Sequence, residues 1–196
     1  MKIFKNVKFI ILSIFVCLHF NLKAQDTIKT KIFNVVYSEI LEQPTYLSYR
    51  VECPTGSASR SGLSFKKFPG VKTSDDFDYA NNDYDKGHIA PAAAFNCTVE
   101  SVKLTFSYLN CALQHSGLNR GPWKELERFE RNLAKIYDNV EVEVLINFSS
   151  KPDTVKGGAS IPESFTKTIK FNNQQIKFKF PNQDVSGTDW ITFMIK

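Results

Sequence analysis

Long apolar runs are nearly absent from this chain: the only one, Phe9 to Leu18, covers about ten residues, too short to cross a bilayer comfortably. Lys2, Lys5 and Lys8 precede it, and Leu22-Lys23-Ala24 closes the segment before Gln25, the layout of a cleaved secretory leader. Val16, rather than a small residue, precedes Cys17, which argues against a lipoprotein. The expectation is a leader over residues 1–24 and one domain over 25–196. The product would be secreted or periplasmic, with no membrane anchor after cleavage.

Positive charge is also scarcer than the formal net +5 suggests. The leader holds four of the 25 basic residues and none of the 20 acidic ones, so the remainder carries 21 against 20 and a net charge near +1. A broad basic surface is excluded, and any polyanion site must be a local cluster. Cysteine is sparse too. Cys53, Cys97 and Cys111 remain, an odd number without metal-site spacing that allows at most one internal disulfide, with the pairing left open. Neither repeats nor low-complexity stretches occur, and a chain with 17 phenylalanines can pack one ordinary core.

What is present reads as an α+β protein with a mixed antiparallel β-sheet core and one long helix. Tyr46 to Val51 suits a strand, with Leu47, Tyr49 and Val51 on one face. Ser57 to Pro69 is a basic connection and Lys72 to Asn82 an acidic loop. Val140, Val142, Val144, Ile146 and Phe148 alternate with Glu141, Glu143 and Asn147, the period of a half-buried strand. Ile176, Phe178 and Phe180 repeat the pattern, and Asn172-Asn173 is expected to turn Thr166–Phe171 into that strand.

Pro122 suits a first helical turn, where its missing N–H is harmless. At 100° per residue, Leu126, Phe129, Leu133, Ile136 and Tyr137 share one arc, with Lys124, Glu125, Arg128, Asn132 and Lys135 opposite. Glu130 falls inside the apolar arc and requires a buried partner, from Arg131 or a neighbouring loop. Glu127 and Arg131 fit neither arc and stack at i,i+4 beside Trp123. The plain account of that pair is a helix-edge salt bridge worth a few tenths of a kcal/mol.

His19 belongs to the leader, and His115 has no setting that suggests chemistry. His88 differs, because Gly87 permits close backbone approach and Pro91 ends the segment, presenting the imidazole at a turn or strand end. A neutral imidazole can take a proton from water near neutral pH. Asn119 precedes the helix, where asparagine serves ordinary turn chemistry. Its amide oxygen would also suit Mg²⁺, which keeps several waters and accepts substrate phosphate oxygens.

Together these stretches resemble the DNA/RNA non-specific endonuclease family, the secreted ββα-metal (His-Me finger) nucleases. Asp85, Gly87, His88, Ala90 and Pro91 match its Asp-Arg-Gly-His and Ala-Pro signature, and Asn110 and Gln114 match its second block. Leu118, Asn119, Gly121, Trp123, Leu126, Glu127 and Arg131 match the third, while Ile161 to Lys167 is similar to a later Val-Pro-x-x-Phe-x-Lys strand. The resemblance implies His88 as general base, Asn119 as the protein ligand of Mg²⁺ (with Mn²⁺ as substitute), Glu127 holding a bound water and Arg131 supporting the charge. Arg60 would contact phosphate, and Asn110, Asp85 and Gln114 would support the site. DNA and RNA are the implied substrates, because a site that grips backbone reads little sequence.

Two departures stand out. Lys86 replaces the family arginine, keeping the charge but losing the bidentate fork, so a difference in rate or substrate preference is expected there. Leu113 replaces a proline, which alters loop stiffness. Two other classes fit parts of the chain: a toxin-like nuclease restricted to DNA, and an exported β-rich module that binds nucleic acid or glycan without cleaving it.

Overall fold

The computed structural model describes residues 27–196, so the expected leader lies outside the described residues. Nine strands alternate with short helical turns. They are β1 (Thr27–Lys29), β2 (Phe33–Ser38), β3 (Gln43–Arg50), β4 (Tyr84–His88), β5 (Cys111–His115), β6 (Val140–Asn147), β7 (Ser164–Phe171), β8 (Gln174–Pro181) and β9 (Met194–Ile195). Seven form one antiparallel sheet in the order β1-β2-β3-β6-β7-β8-β9, and β4 pairs with β5 in a separate two-stranded sheet. The helices are α1 (Val99–Thr105), the single turn α2 (Ser116–Leu118) and α3 (Lys124–Ala134).

Side-chain alternation builds the large sheet. Val140, Val142, Val144 and Ile146 of β6 are buried on one face, whereas Glu141 and Leu145 face out. Each such buried aliphatic contributes about 1.5–3 kcal/mol. The β7–β8 hairpin turns on Asn172 and Asn173, with φ of 45° and 58°, the left-handed pair that a two-residue hairpin turn requires. The expected asparagine turn is therefore present.

α3 lays Leu126 and Leu133 into the core, and just before it Trp123 packs edge-on against Phe165 and Phe180, at centroid distances of 5.5 and 5.6 Å. The helix is shorter than the apolar arc suggested. Ile136 N–H bonds back to the Leu133 carbonyl, a tightened last turn that leaves Ile136 73% exposed. Tyr137 still reaches the core through Phe171. Glu130 has its buried partner, although neither Arg131 nor a loop supplies it. Lys167 of β7 donates to Glu130 Oε1 at 2.8 Å and Tyr49 of β3 donates to Oε2 at 2.6 Å. The Lys167 ammonium also lies 3.8 Å from the Trp123 ring centroid.

A Cys53–Cys97 disulfide ties the end of the β3 segment to the loop before α1, and Cys111 is a buried free thiol. No helix among the described residues is long and apolar enough to cross a membrane.

Candidate functional site

His88 is the last residue of β4, so its ring stands at a strand end, across from Cys111 of β5. One residue earlier, Gly87 is required by close packing, because a Cβ there would sit 2.6 Å from the Gln114 side chain. Gln114 is buried and neither of its amide atoms has a hydrogen-bond partner, so it fills space behind β4 rather than bonding the loop. Asn110 does bond it. Ala90 N–H donates to Asn110 Oδ1 at 2.7 Å, and Asn110 Nδ2 donates to the carbonyls of Ala90 at 2.8 Å and Thr105 at 3.0 Å. This buried amide fixes the backbone that leaves His88.

The imidazole is wedged between Phe65 and Phe106, with ring centroids 4.7 and 4.8 Å away. Nε2 is sealed and has no hydrogen-bond partner, so the nitrogen able to meet water is Nδ1. Burial, reinforced by the Arg60 charge, pushes His88 down to about 4 and keeps it neutral at physiological pH.

Asn119 lies in the wide turn Asn119–Trp123 that joins α2 to α3, where Gly121 leaves helical geometry (φ −101°, ψ −117°). Its Nδ2 donates to Asp85 Oδ2 at 2.9 Å. The same carboxylate accepts from Arg120 Nε at 2.8 Å and Nη2 at 2.5 Å. Burial raises Asp85, but Arg120 and Asn119 outweigh it and leave the carboxyl below its usual value. With Nδ2 engaged, Asn119 presents Oδ1 to the cleft as an uncommitted hard oxygen.

From α3 come Glu127 and Arg131. The anticipated helix-edge salt bridge does not form: Arg131 Nη1 donates instead to the Glu127 backbone carbonyl at 2.9 Å. The Glu127 carboxyl is pushed up to about 7, chiefly by burial, with Lys167 and Arg131 pulling it down and Glu130 pushing it up. The Trp123 indole N–H pulls weakly in the same direction as Lys167, although its contact falls outside normal hydrogen-bond geometry.

His88, Asn119, Glu127, Arg131, Arg60 and Lys86 line one cleft of about 300 Å³. Asp85, Asn110 and Gln114 stand behind it. Arg120 and Lys124 also line the cleft, although the helical period places Lys124 on the solvent arc and no motif position marks Arg120. Adjacency to Asn119 and the helix start was the available signal. A larger depression, about 640 Å³, lies at the Asn172–Asn173 turn, but amides and charged side chains line it without an imidazole.

No three His, Cys, Asp or Glu side chains among the described residues gather into a metal cage. A cation here would have to rely on Asn119 Oδ1, water and ligand oxygens. That donor set suits a hard, hydrated ion such as Mg²⁺ and does not suit a soft metal.

A neutral imidazole, an uncommitted amide oxygen and a rim of guanidinium and ammonium groups make a cleft chemically suited to an anion. The chain belongs to the DNA/RNA non-specific endonuclease family, which it matches over residues 15–196. It is 32% identical over 96 residues to the mitochondrial Endonuclease G of Bos taurus, covering 47% of this chain and 32% of that protein. It is 29% identical over 131 residues to a nuclease of Nostoc sp., covering 60% of this chain and 47% of that protein. The chain thus spans less than half the length of either relative. The fold is shared with a solved EndoG/EndoGI complex, at a TM-score of 0.76 and 24% identity, over 87% of this chain and 80% of that one.

Proposed function

We propose that this protein is an exported, metal-dependent endonuclease that hydrolyses phosphodiester bonds in DNA and RNA with little sequence preference. The observation that carries the reading is the Asp85–Asn119 hydrogen bond, which turns the asparagine oxygen toward the cleft that also holds the neutral His88. In this reading β4, β5 and α3 form a ββα-metal motif. The leader at residues 1–24 and the Cys53–Cys97 disulfide both favour an oxidising compartment, the periplasm or the medium.

His88 Nδ1 takes the proton from a water as that water's oxygen attacks phosphorus. The bond to the departing sugar oxygen breaks, and that oxygen leaves with its electron pair and is protonated from solvent. Arg131 and Arg60 bind phosphoryl oxygens through charge-assisted hydrogen bonds, and Glu127 orients water at the α3 edge. Asn119 Oδ1 would hold Mg²⁺, or Mn²⁺ in its place, and the ion when bound would supply Lewis-acid charge to the phosphodiester. Asp85 holds the Asn119 amide, Asn110 fixes the backbone after His88, and Gln114 packs behind β4.

The test is digestion of plasmid DNA and of RNA by residues 25–196 with Mg²⁺ and with EDTA, beside His88→Ala and Asn119→Ala. Cleavage of both polymers only with the metal, lost in both variants, is expected. Undiminished cleavage by His88→Ala would remove His88 as the base, and binding without cleavage under every condition would replace the enzyme with a binding module.

A further inference from the structure

Five cations line the cleft along with Asn119, yet they are not equally free to meet a phosphate. Arg60 and Lys124 have no carboxylate partner among the described residues, and Arg131 is engaged only by a backbone carbonyl. Arg120 is held by Asp85, part of the Asn119 support already described. Lys86 is different. Its ammonium is paired with the Asp76 carboxylate, which comes from the acidic Lys72–Asn82 segment and has no part in the catalytic reading.

Asp76 is placed with some precision. It opens the helical turn Asp76–Tyr79, which Asp75 caps by accepting from Phe77 N–H and Asp78 closes reciprocally by accepting from Asp75 N–H. Asp78 is itself buried and accepts from Ala159 N–H at 3.1 Å, so the turn is pinned to the body of the protein. Tyr108 Oη then donates to the same Asp76 oxygen that meets Lys86, at 2.6 Å. The Lys86 ammonium lies 5.9 and 5.8 Å from the ring centroids of Tyr79 and Tyr108. Asp76 is nevertheless 82% exposed, against 31% for Lys86. An exposed surface pair held only by its own attraction is worth little, whereas this carboxylate is fixed in place by groups that would hold it there without the lysine.

We propose that Asp76 is an affinity-setting residue: it stands in for a substrate phosphate on Lys86, so that the lysine makes no net phosphate contact and the nucleic acid binds more weakly than the cleft cations alone would allow. The inference rests on the nuclease reading and explains the Lys86 departure. A lysine is a point charge that one carboxylate satisfies, whereas an arginine fork could serve Asp76 and a phosphate together. Asp76 touches neither the base nor the metal ligand, so its effect falls on binding and not on the chemical step.

The test is fluorescence anisotropy of a labelled DNA duplex with the full chain in EDTA, where no cleavage occurs, between about 50 and 200 mM salt. Each phosphate neutralised adds about 0.9 to the slope of log affinity against log salt. Asp76→Asn should bind more tightly at low salt and steepen the slope by about that amount. The gain should vanish in Asp76→Asn/Lys86→Met, because removing a carboxylate without the lysine creates no new contact. In a digestion assay Asp76→Asn should lower KM and leave kcat near the parent value. An unchanged slope in Asp76→Asn, or a gain that survives in the double variant, overturns the inference. So does a fall of about 0.9 in Lys86→Met alone, since the lysine would already grip a phosphate. Salt-independent binding by the parent overturns this inference, and failure of the parent to cleave either polymer with Mg²⁺ overturns the nuclease reading and this inference with it.

Discussion

Asp85 determines which end of the Asn119 amide faces the cleft: its Oδ2 accepts from Asn119 Nδ2 at 2.9 Å, and Oδ1 of the asparagine is left over. An amide held this way offers a cation oxygen and not an N–H. The Arg120 fork on the same carboxylate keeps Asp85 ionised and in position.

Replacing Asp85 with Ala frees the amide to rotate and leaves half its orientations with N–H toward the cleft, where the proposed cation needs oxygen. Supporting residues of this kind typically cost about 10–100-fold in metal affinity or activity. Titration of activity with Mg²⁺ should show a raised metal requirement for Asp85→Ala, partly recovered at saturating Mg²⁺. Thermal stability should change little, since the Arg120 guanidinium is exposed. An unaltered Mg²⁺ titration would remove Asp85 from the positioning role.

His88 and Glu127 shift in opposite directions, and their signatures in stability oppose each other. His88 sits at about 4 when folded against 6.5 when free, so the folded state binds fewer protons in that interval and stability is lost as pH falls from 6.5 toward 4. Removing the ring abolishes that loss. His88→Gln should gain Tm relative to the parent as pH falls from 6.5 toward 4, the Glu127 contribution being common to both, together with loss of cleavage at every pH. A parallel dependence would mean that the ring is not held neutral by burial.

Glu127 sits at about 7 when folded against 4.5 when free, so it favours the folded state when protonated, and stability is lost as pH rises from 4.5 toward 7. Glu127→Gln should therefore be more stable than the parent at pH 8 while losing activity, the trade expected where a site retains an unfavourable group for function. In the parent, kcat/KM at low Mg²⁺ should fall below pH 7, and added Mg²⁺ should move that limb to lower pH by favouring the carboxylate. Glu127→Gln should lack the limb. A limb that persists in the variant would assign it to another group.

The sequence made some of this legible and concealed the rest for identifiable reasons. Strand β6 and the Asn172–Asn173 turn follow from local rules, period-two burial and left-handed asparagines, so they could be read directly. His88, Asn119, Glu127 and Arg131 were legible as an ordered set through the family resemblance, and the fold brings them to one cleft. The Arg131 contact was not legible, since i,i+4 spacing permits a side-chain pair but a backbone carbonyl one turn back competes for the same guanidinium. Partners brought in by the large sheet were invisible, because no local pattern links Glu130 to residues 37 and 81 positions away. The Asp76 contact with Lys86 was hidden similarly, in a loop whose acidity alone says nothing about where it folds back.

The Glu130–Lys167 pair under α3 carries the last prediction. Both side chains are fully buried, the pair bonds at 2.8 Å, and Tyr49 and the Trp123 ring complete its surroundings. A pair so enclosed need not be a net source of stability, because desolvating two charges offsets most of their attraction. Breaking it is another matter. Lys167→Met leaves an uncompensated carboxylate in the core and should cost about 3–5 kcal/mol in urea unfolding. Lys167→Met/Glu130→Leu removes both charges and should recover most of the loss, leaving the unsatisfied Tyr49 hydroxyl at about 1–3 kcal/mol. Recovery of folding need not restore cleavage, since Lys167 is also the strongest pull holding Glu127 down. In the double variant the Glu127 limb of the pH profile should move upward from that of the parent. If the double variant is as unstable as Lys167→Met alone, the loss comes from packing around Trp123 and not from the stranded charge.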